Sequence, residues 1–91
     1  MREKSLERKL VRAVNRAGGL ALKFVSPGTA GVPDRLVLLP GGKISFVEMK
    51  APGTVPGSLQ RLRHEQLHDL GFRVYVVDSE EGIREIMERM K

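Results

Sequence analysis

Two carboxylates and one lysine stand in neighbouring apolar segments, at a spacing that could bring them together when the chain folds. Asp34 precedes the apolar run 35–39, which is rich enough in branched residues to form a strand. Glu48 and Lys50 belong to the run 43–50, where residues alternate with the period of two typical of a strand. Carboxylate oxygens bind hard divalent cations such as Mg²⁺ or Mn²⁺, so the pattern predicts a metal site with Lys50 one pleat from Glu48.

The sequence Pro40-Gly41-Gly42 between the two runs predicts a hairpin turn, because glycine readily adopts the positive φ that such turns require. A three-residue loop would place Asp34 directly opposite Glu48. Carboxylates in that arrangement repel each other across ~5 Å between their Cβ atoms, so a positive group is expected between them. A two-residue turn would instead place Met49 opposite Asp34, and the sequence leaves both registers open.

The extended pattern resembles the virus-type replication-repair nuclease (VRR-NUC) family of the PD-(D/E)xK nuclease superfamily. The matching segments are 31–39, 46–53, Gln60 and 71–77. They span nearly the whole chain in the family's order and spacing, whereas an isolated PD…ExK pattern recurs by chance. The resemblance implies a metal-dependent DNA endonuclease that hydrolyses phosphodiester bonds.

The resemblance also implies a divalent metal, Mg²⁺ or Mn²⁺, and no small-molecule cofactor. The implied ligands are Asp34, Glu48 and the backbone carbonyl of Met49. Lys50 would either position the attacking water, acting as a base if its proton is lost, or offset charge on the phosphate. Stand-alone members of the family tend to act as homodimers on branched DNA such as four-way (Holliday) junctions, and we expect the same here.

Two further polar residues match family positions beside the metal. Glu7 falls inside the apolar arc of a predicted first helix, where an unpaired acid would be costly. It matches a glutamate that assists the metal directly or through water; a salt bridge to a lysine at the edge of the arc is the alternative. Gln60 matches a glutamine whose amide could bind a phosphate or a metal-bound water, and an ordinary surface glutamine is the alternative.

Basic residues are concentrated in the first two thirds of the chain. Residues 1–63 carry twelve Lys or Arg and four Asp or Glu, whereas residues 64–91 carry four and seven. A basic field around a few clustered carboxylates suits a polyanionic substrate. The candidates for contact with the DNA backbone are Arg8, Arg12, Lys23, Arg35 and Lys43. The alternative from another class is a catalytically inactive DNA-binding module.

The periodicity predicts a single α/β domain over residues 1–91 with the element order αβββαβα. The resemblance implies that this order forms a restriction-endonuclease-like core, a mixed sheet flanked by helices. The predicted elements are a helix at 3–17, strands at 20–25, 35–39 and 43–50, a helix at 58–70 capped by Ser58, a buried strand at 72–77, and a helix capped by Ser79. The second helix is expected to turn inward Leu59, Leu62, Gln66, Leu67 and Leu70.

The segment His64-Glu65-Gln66-Leu67-His68 matches H-E-x-x-H, the helix signature of zinc metallopeptidases. The leucines of the same helix predict that His64 and His68 lie on the opposite, solvated side. Charged neighbours surround both histidines, whereas a metallopeptidase helix is normally apolar and buried. We therefore interpret them as surface histidines rather than as zinc ligands.

The chain contains no cysteine, which excludes disulfide and thiolate–zinc stabilisation. It also contains no apolar run near 18 residues and no signal-peptide pattern, so no membrane partner is expected. We expect an intracellular protein. The resemblance places such a protein in the cytoplasm of a bacterial or phage-infected cell, in the processing of phage or mobile-element DNA.

Overall fold

The computed structural model describes residues 3–91, and their elements follow the predicted order αβββαβα. The elements are α1 (Glu3–Arg16), β1 (Leu20–Lys23), β2 (Arg35–Leu39), β3 (Lys43–Met49), α2 (Ser58–Asp69), β4 (Arg73–Val77) and α3 (Glu80–Arg89). No helix within these residues is both long and apolar enough to cross a membrane. The first strand ends two residues earlier than predicted, and the chain then enters a loop that contains Pro27 and Pro33.

The four strands form one mixed sheet, as predicted, in the order β1-β2-β3-β4. β1, β2 and β3 pair antiparallel, and β4 joins β3 in parallel after the α2 crossover. Leu39 pairs with Lys43, so the hairpin loop consists of residues 40–42. Gly41 and Gly42 adopt positive φ values of 89° and 74°. The three-residue register is therefore confirmed, and the two-residue alternative is wrong.

The hydrophobic core lies between one face of the sheet and the helices α1 and α3. Leu6, Leu10 and Val14 recur at helical spacing along α1 and are fully buried. They pack against the inward side chains of the strands and of α3, namely Val37, Val47, Met49, Val77, Ile83, Ile86 and Met90. Each buried aliphatic side chain of this kind stabilises the fold by about 1.5–3 kcal/mol.

α3 completes this core and starts as the sequence predicts. The Ser79 hydroxyl accepts a hydrogen bond from the backbone N–H of Gly82 at 3.1 Å, which caps the helix. Met90 is 4% exposed and Met87 is partly buried against the core. Met87 and the C-cap residue Met90 therefore pack within their own chain.

The opposite face of the sheet is apolar and largely open. The register places its side chains in rows that run across all four strands. The first row contains Leu20, Leu38 and Ile44, with Phe72 at the next register position just before β4, and the second contains Leu22, Leu36, Phe46 and Val74. The Phe46 ring lies 5.8 Å from Phe72 and 5.5 Å from Phe24, centroid to centroid, so aromatic contacts link the rows. We call this surface the open sheet face.

α2 packs mainly against β4, reaches β3 through the side chain of Gln60, and covers little of the open sheet face. The prediction that the leucines of α2 face inward is wrong. No residue of α2 is buried, and Leu62 and Leu70 are 47% and 74% exposed. Its position over an edge strand leaves part of its apolar side beyond the sheet. The prediction that β4 is buried fails for the same reason: Val77 is buried in the core, but Val76 is 44% exposed.

Candidate active site

Asp34 and Glu48 lie together at the end of the β2–β3 hairpin that is remote from the turn. Arg35 pairs with Val47, so the next position of the register sets Asp34 opposite Glu48. The Asp34 carboxylate accepts a hydrogen bond from the backbone N–H of Met49 at 2.9 Å. This bond fixes one carboxylate against the end of the strand that carries the other.

The Glu48 carboxylate is held by two side chains at one oxygen only. Oε2 accepts a hydrogen bond from Nε2 of Gln60 at 2.8 Å and lies 3.3 Å from Nζ of Lys50. Oε1 is buried and has no hydrogen-bond partner within residues 3–91. A buried carboxylate oxygen without a partner is costly, so this atom is well suited to a cation.

Burial raises the pKa of Glu48 above its ordinary value of 4.5. The negative charge of Asp34 raises this pKa further, while the hydrogen bond and charge of Lys50 and the hydrogen bond from Gln60 lower it. The side chain is 2% exposed. A divalent cation held by the two carboxylates would stabilise the charged form of Glu48. It would thereby counter both effects that raise the pKa.

The donor set fits Mg²⁺ or Mn²⁺. Within residues 3–91, no three or more His, Asp or Glu side chains are grouped to hold a metal. Asp34 and Glu48 therefore offer two carboxylates, and Mg²⁺ is usually bound by one or two carboxylates together with several waters. The backbone carbonyl of Met49 could add a third oxygen from the same strand end.

Glu7 is engaged in an ion pair. Its carboxylate accepts a hydrogen bond from Nε of Arg35 at 3.0 Å, and Arg35 also donates to the backbone oxygen of Ala21 at 3.0 Å. The alternative of a salt bridge for Glu7 is therefore observed, with an arginine of β2 in place of the expected lysine. A role for Glu7 at the metal stays a prediction.

Gln60 connects the start of α2 to the site. Its Oε1 accepts a hydrogen bond from the backbone N–H of Gly57 at 3.2 Å, while its Nε2 donates to Glu48. The helix is capped at Gly57, so the prediction of Ser58 as the cap is wrong by one residue. Gln60 thus orients a carboxylate of the site, whereas contact with a phosphate or water stays a prediction.

His64 also belongs to the surroundings of the site, and its predicted position on the solvated side is wrong. It is half-buried, and its Nε2 is buried without a hydrogen-bond partner within residues 3–91. Burial lowers its pKa, as does the positive charge of Lys50, while the charge of Asp34 raises it. His64 follows Gln60 by four residues, and this spacing could have signalled its position. His68 is exposed, as predicted.

Four of the five predicted DNA contacts lie around α1 and the neighbouring strand edge. Arg8 and Arg12 are exposed and, with Arg35, line a groove of about 710 Å³. Lys23 is exposed and pairs with Arg35 across the β1–β2 ladder. Lys43 lies at the turn end of β3, five residues before Glu48 and therefore roughly 16 Å from it.

Comparison with known proteins agrees with this architecture. No family model matches the chain. A protein named "Putative nuclease p44", from Acyrthosiphon pisum secondary endosymbiont phage 1, is 56% identical over 81 residues, which cover 89% of this chain and 87% of that protein. A solved structure titled "VRR_NUC domain" has a TM-score of 0.91 and 33% identity, and the match covers 98% of this chain and 97% of that one. The chain therefore belongs to the VRR-NUC family of nucleases.

Proposed function

We propose that this nuclease is a PD-(D/E)xK-type, metal-dependent DNA endonuclease whose active site contains Asp34, Glu48 and Lys50. The observation that carries the proposal is the buried Oε1 of Glu48, which lacks a partner although the carboxylate of Asp34 stands beside it. An arrangement of this kind costs stability in the absence of a cation. It is therefore expected where a cation is the functional partner.

Asp34 and Glu48 would hold Mg²⁺ or Mn²⁺, with the Met49 carbonyl as a further oxygen ligand. The cation would supply Lewis acidity that activates water and offsets charge on the phosphate. Lys50 lies 3.3 Å from Glu48 and is 21% exposed, so its ammonium can reach a bound phosphodiester. It would either position the attacking water or offset charge on the phosphate. Gln60 keeps Glu48 oriented from the start of α2.

DNA would be bound through its backbone by the basic groove of α1 and the adjoining strand edge. Arg8, Arg12 and Lys23 are exposed there, and Arg35 contributes the groove wall. Phosphate contacts of this type position the substrate without reading its sequence. Glu7, now paired with Arg35, would assist the metal directly or through water once DNA competes for the arginine.

An inactive DNA-binding module would account for the basic groove but not for the site. Such a module has no evident need for two adjacent carboxylates, one of them 2% exposed and lacking a partner for one oxygen. A zinc peptidase would require the two histidines of α2 to share a metal. His68 is instead exposed and lies 3.9 Å from Asp69, so no observation favours that function.

We further propose that the protein acts as a homodimer on branched DNA such as four-way junctions. The open sheet face supports self-association, since it is apolar and only α2 stands over its β4 edge. Eight large apolar side chains on this face and on α2 are 39–74% exposed: Leu20, Leu22, Ile44, Leu59, Leu62, Leu70, Phe72 and Val76.

An exposed apolar surface of this kind is typical of a protein–protein interface. Asp34 and Glu48 continue the same face directly beyond Phe46. A second copy would therefore dock beside the active site and bring two sites to one branched substrate. The relative encoded by a phage supports a setting in a phage-infected bacterial cell.

The chemistry is tested by incubating the protein with labelled four-way junction and linear duplex in Mg²⁺, Mn²⁺ or EDTA. We expect cleavage only with a divalent cation, and faster cleavage of the junction. Asp34→Asn and Lys50→Met should each reduce the rate at least a thousandfold while binding of DNA in EDTA persists. Undiminished cleavage by either variant, or cleavage in EDTA, would contradict the proposed site.

Self-association is tested by light scattering at micromolar concentration. We expect a dimer mass for the protein and a monomer mass for the double variant Leu22→Glu, Ile44→Glu, because each change places a charge in the open sheet face. The double variant Val25→Glu, Val55→Glu alters residues that are 72% and 76% exposed but lie outside that face, and it should remain dimeric. A monomer mass for the unmodified protein would refute the dimer.

A further inference from the structure

Two buried side-chain atoms within residues 3–91 lack a hydrogen-bond partner: Oε1 of Glu48 and Nε2 of His64. The first is explained by the proposed cation. The second lies on α2 one turn after Gln60, which donates to Glu48, and the charges of Lys50 and Asp34 influence the pKa of His64. Buried polar nitrogen atoms are nearly always partnered, so the unpartnered Nε2 requires an explanation from the working site.

Two features of the backbone bring His64 and Lys50 to the same region of the fold. His64 lies four residues after Gln60, on the same side of α2, and Gln60 contacts Glu48 at 2.8 Å. Lys50 follows β3 directly, and its backbone N–H donates to the oxygen of Val77 at 2.9 Å on β4, the strand that α2 contacts. The imidazole and the ammonium group therefore belong to one cluster between α2 and the adjoining ends of β3 and β4.

The environment favours a neutral imidazole that accepts a hydrogen bond through Nε2. Burial and the nearby ammonium group both oppose a positive charge on the ring. In a neutral histidine one nitrogen carries the proton and the other accepts. The tautomer with the proton on Nδ1 leaves the lone pair of Nε2 free to accept a hydrogen bond from a nearby cation.

Lys50 needs such an acceptor when the site is at work. Its ammonium has three donors, and the acceptor observed for it is Oε2 of Glu48 at 3.3 Å, an atom already shared with Gln60. When Glu48 serves as a metal ligand, its carboxylate attracts the lysine less strongly. Without a second acceptor, Lys50 would be free to leave the position from which it serves the phosphodiester.

We propose that His64 is a positioning residue for Lys50, whose ammonium donates a hydrogen bond to Nε2 of His64 directly or through one water. The inference rests on the proposed role of Lys50 in the nuclease site. It adds a residue of α2 to that site and makes the packing of α2 against β4 part of the catalytic arrangement.

The proximity is tested by NMR titration of the two histidines, which requires no nuclease activity. In Lys50→Met the pKa of His64 should rise, because a positive charge is removed beside it. In Asp34→Asn it should fall, because a negative charge is removed. His68, which is exposed, serves as the internal control. An unchanged His64 pKa in Lys50→Met would overturn the proposal even in a fully active nuclease.

The functional part is tested by single-turnover cleavage of the four-way junction. His64→Leu should reduce the rate about ten- to hundredfold, the effect of losing one hydrogen bond to a charged group. His64→Gln should recover most of the rate, because its amide oxygen can accept in place of Nε2. The control His68→Leu should cleave at the unmodified rate. Normal cleavage by His64→Leu would overturn the proposal.

A double-mutant cycle separates positioning from a merely structural effect. If His64 acts through Lys50, His64→Leu should change the residual rate of Lys50→Met less than threefold. A full ten- to hundredfold loss in that background would overturn the proposal. Absence of cleavage in every protein, together with the expected histidine titrations, would refute the nuclease function while leaving the contact between His64 and Lys50 intact.

Discussion

Replacement of Glu48 by glutamine should stabilise the metal-free protein, although it removes a proposed metal ligand. Glu48→Gln keeps the size of the side chain and an oxygen that can accept from Gln60. It removes a carboxylate that is 2% exposed and stands opposite Asp34. The buried charge and its repulsion therefore disappear, while the packing at the end of β3 remains.

The expected gain follows from two opposing contributions. Removal of an incompletely paired buried carboxylate should raise the free energy of unfolding by on the order of 2–4 kcal/mol. Loss of the charge partner of Lys50 should lower it by about 1 kcal/mol. A net rise of about 1–3 kcal/mol in the free energy of unfolding corresponds to roughly 4–24 °C in Tm for a domain of this size.

The pH dependence provides the second half of the test. Because the pKa of Glu48 is raised in the folded chain, folding favours the protonated acid. The stability contributed by this group is therefore fully present below its ordinary value of 4.5, and it is lost as pH rises through the raised pKa. Thermal unfolding followed by circular dichroism in EDTA should show Glu48→Gln clearly above the unmodified protein at pH 7.5 and nearly level with it at pH 4.5.

Addition of Mg²⁺ should make the unmodified protein more stable than Glu48→Gln. A cation that binds only the folded unmodified protein stabilises it by mass action. Equal or lower stability of Glu48→Gln at pH 7.5 in EDTA would refute the reasoning, because the Glu48 charge would then be adequately paired within the protein. A stabilisation that persists unchanged at pH 4.5 would also refute it, since the effect could not come from ionisation.

Two further predictions address the basic groove and α3. Replacing Arg8 and Arg12 by alanine should weaken DNA binding in EDTA for all sequences alike and reduce the slope of log K against log salt by about 2, whereas Lys43→Ala should change neither. An unchanged slope for the double variant would move the DNA contact away from α1. Ser79→Ala should lower the free energy of unfolding by about 1 kcal/mol in urea titrations, because the N–H of Gly82 loses its acceptor; an unchanged midpoint would show that the cap contributes nothing.

The sequence predicted the structure correctly where the spacing of residues within one helix or strand determines which side chains are buried. The spacing of Leu6, Leu10 and Val14 identified the buried side of α1, and alternation along β2 and β3 identified the strands of the hairpin. The glycines of its loop favoured a turn, and the structure then decided between the two registers. The sequence therefore placed Asp34 and Glu48 at the same end of one hairpin, whereas their direct pairing was one of two open alternatives until the register was observed.

The errors concern α2, whose orientation depends on a tertiary contact. A helical wheel centred on Leu62 and Leu70 turned both histidines to the solvent. The contact between Gln60 and Glu48 instead turns a polar side of the helix toward the sheet, which carries His64 inward and leaves Leu62 and Leu70 exposed. No period within the helix records that interaction.

The ion-pair partner of Glu7 could not be predicted either, because it is distant in the sequence. Its place in the apolar arc of α1 was evident, but its partner Arg35 is separated from it by 28 residues. Charge and spacing along α1 suggested a lysine close by. The ion pair could be recognised only after the sheet had placed β2 against the helix.

The segment between β3 and α2 is held at its two ends by unrelated bonds. At the start, the N–H of Lys50 donates to Val77; at the end, the N–H of Gly57 donates to Gln60. The residues at 52–55 are exposed. Because each end is anchored without the residues between them, the segment can change in length or carry an inserted label while Lys50 and Gln60 keep their places. It is therefore the natural position for a fluorophore, a crosslinker or a fused binding module directed at the DNA.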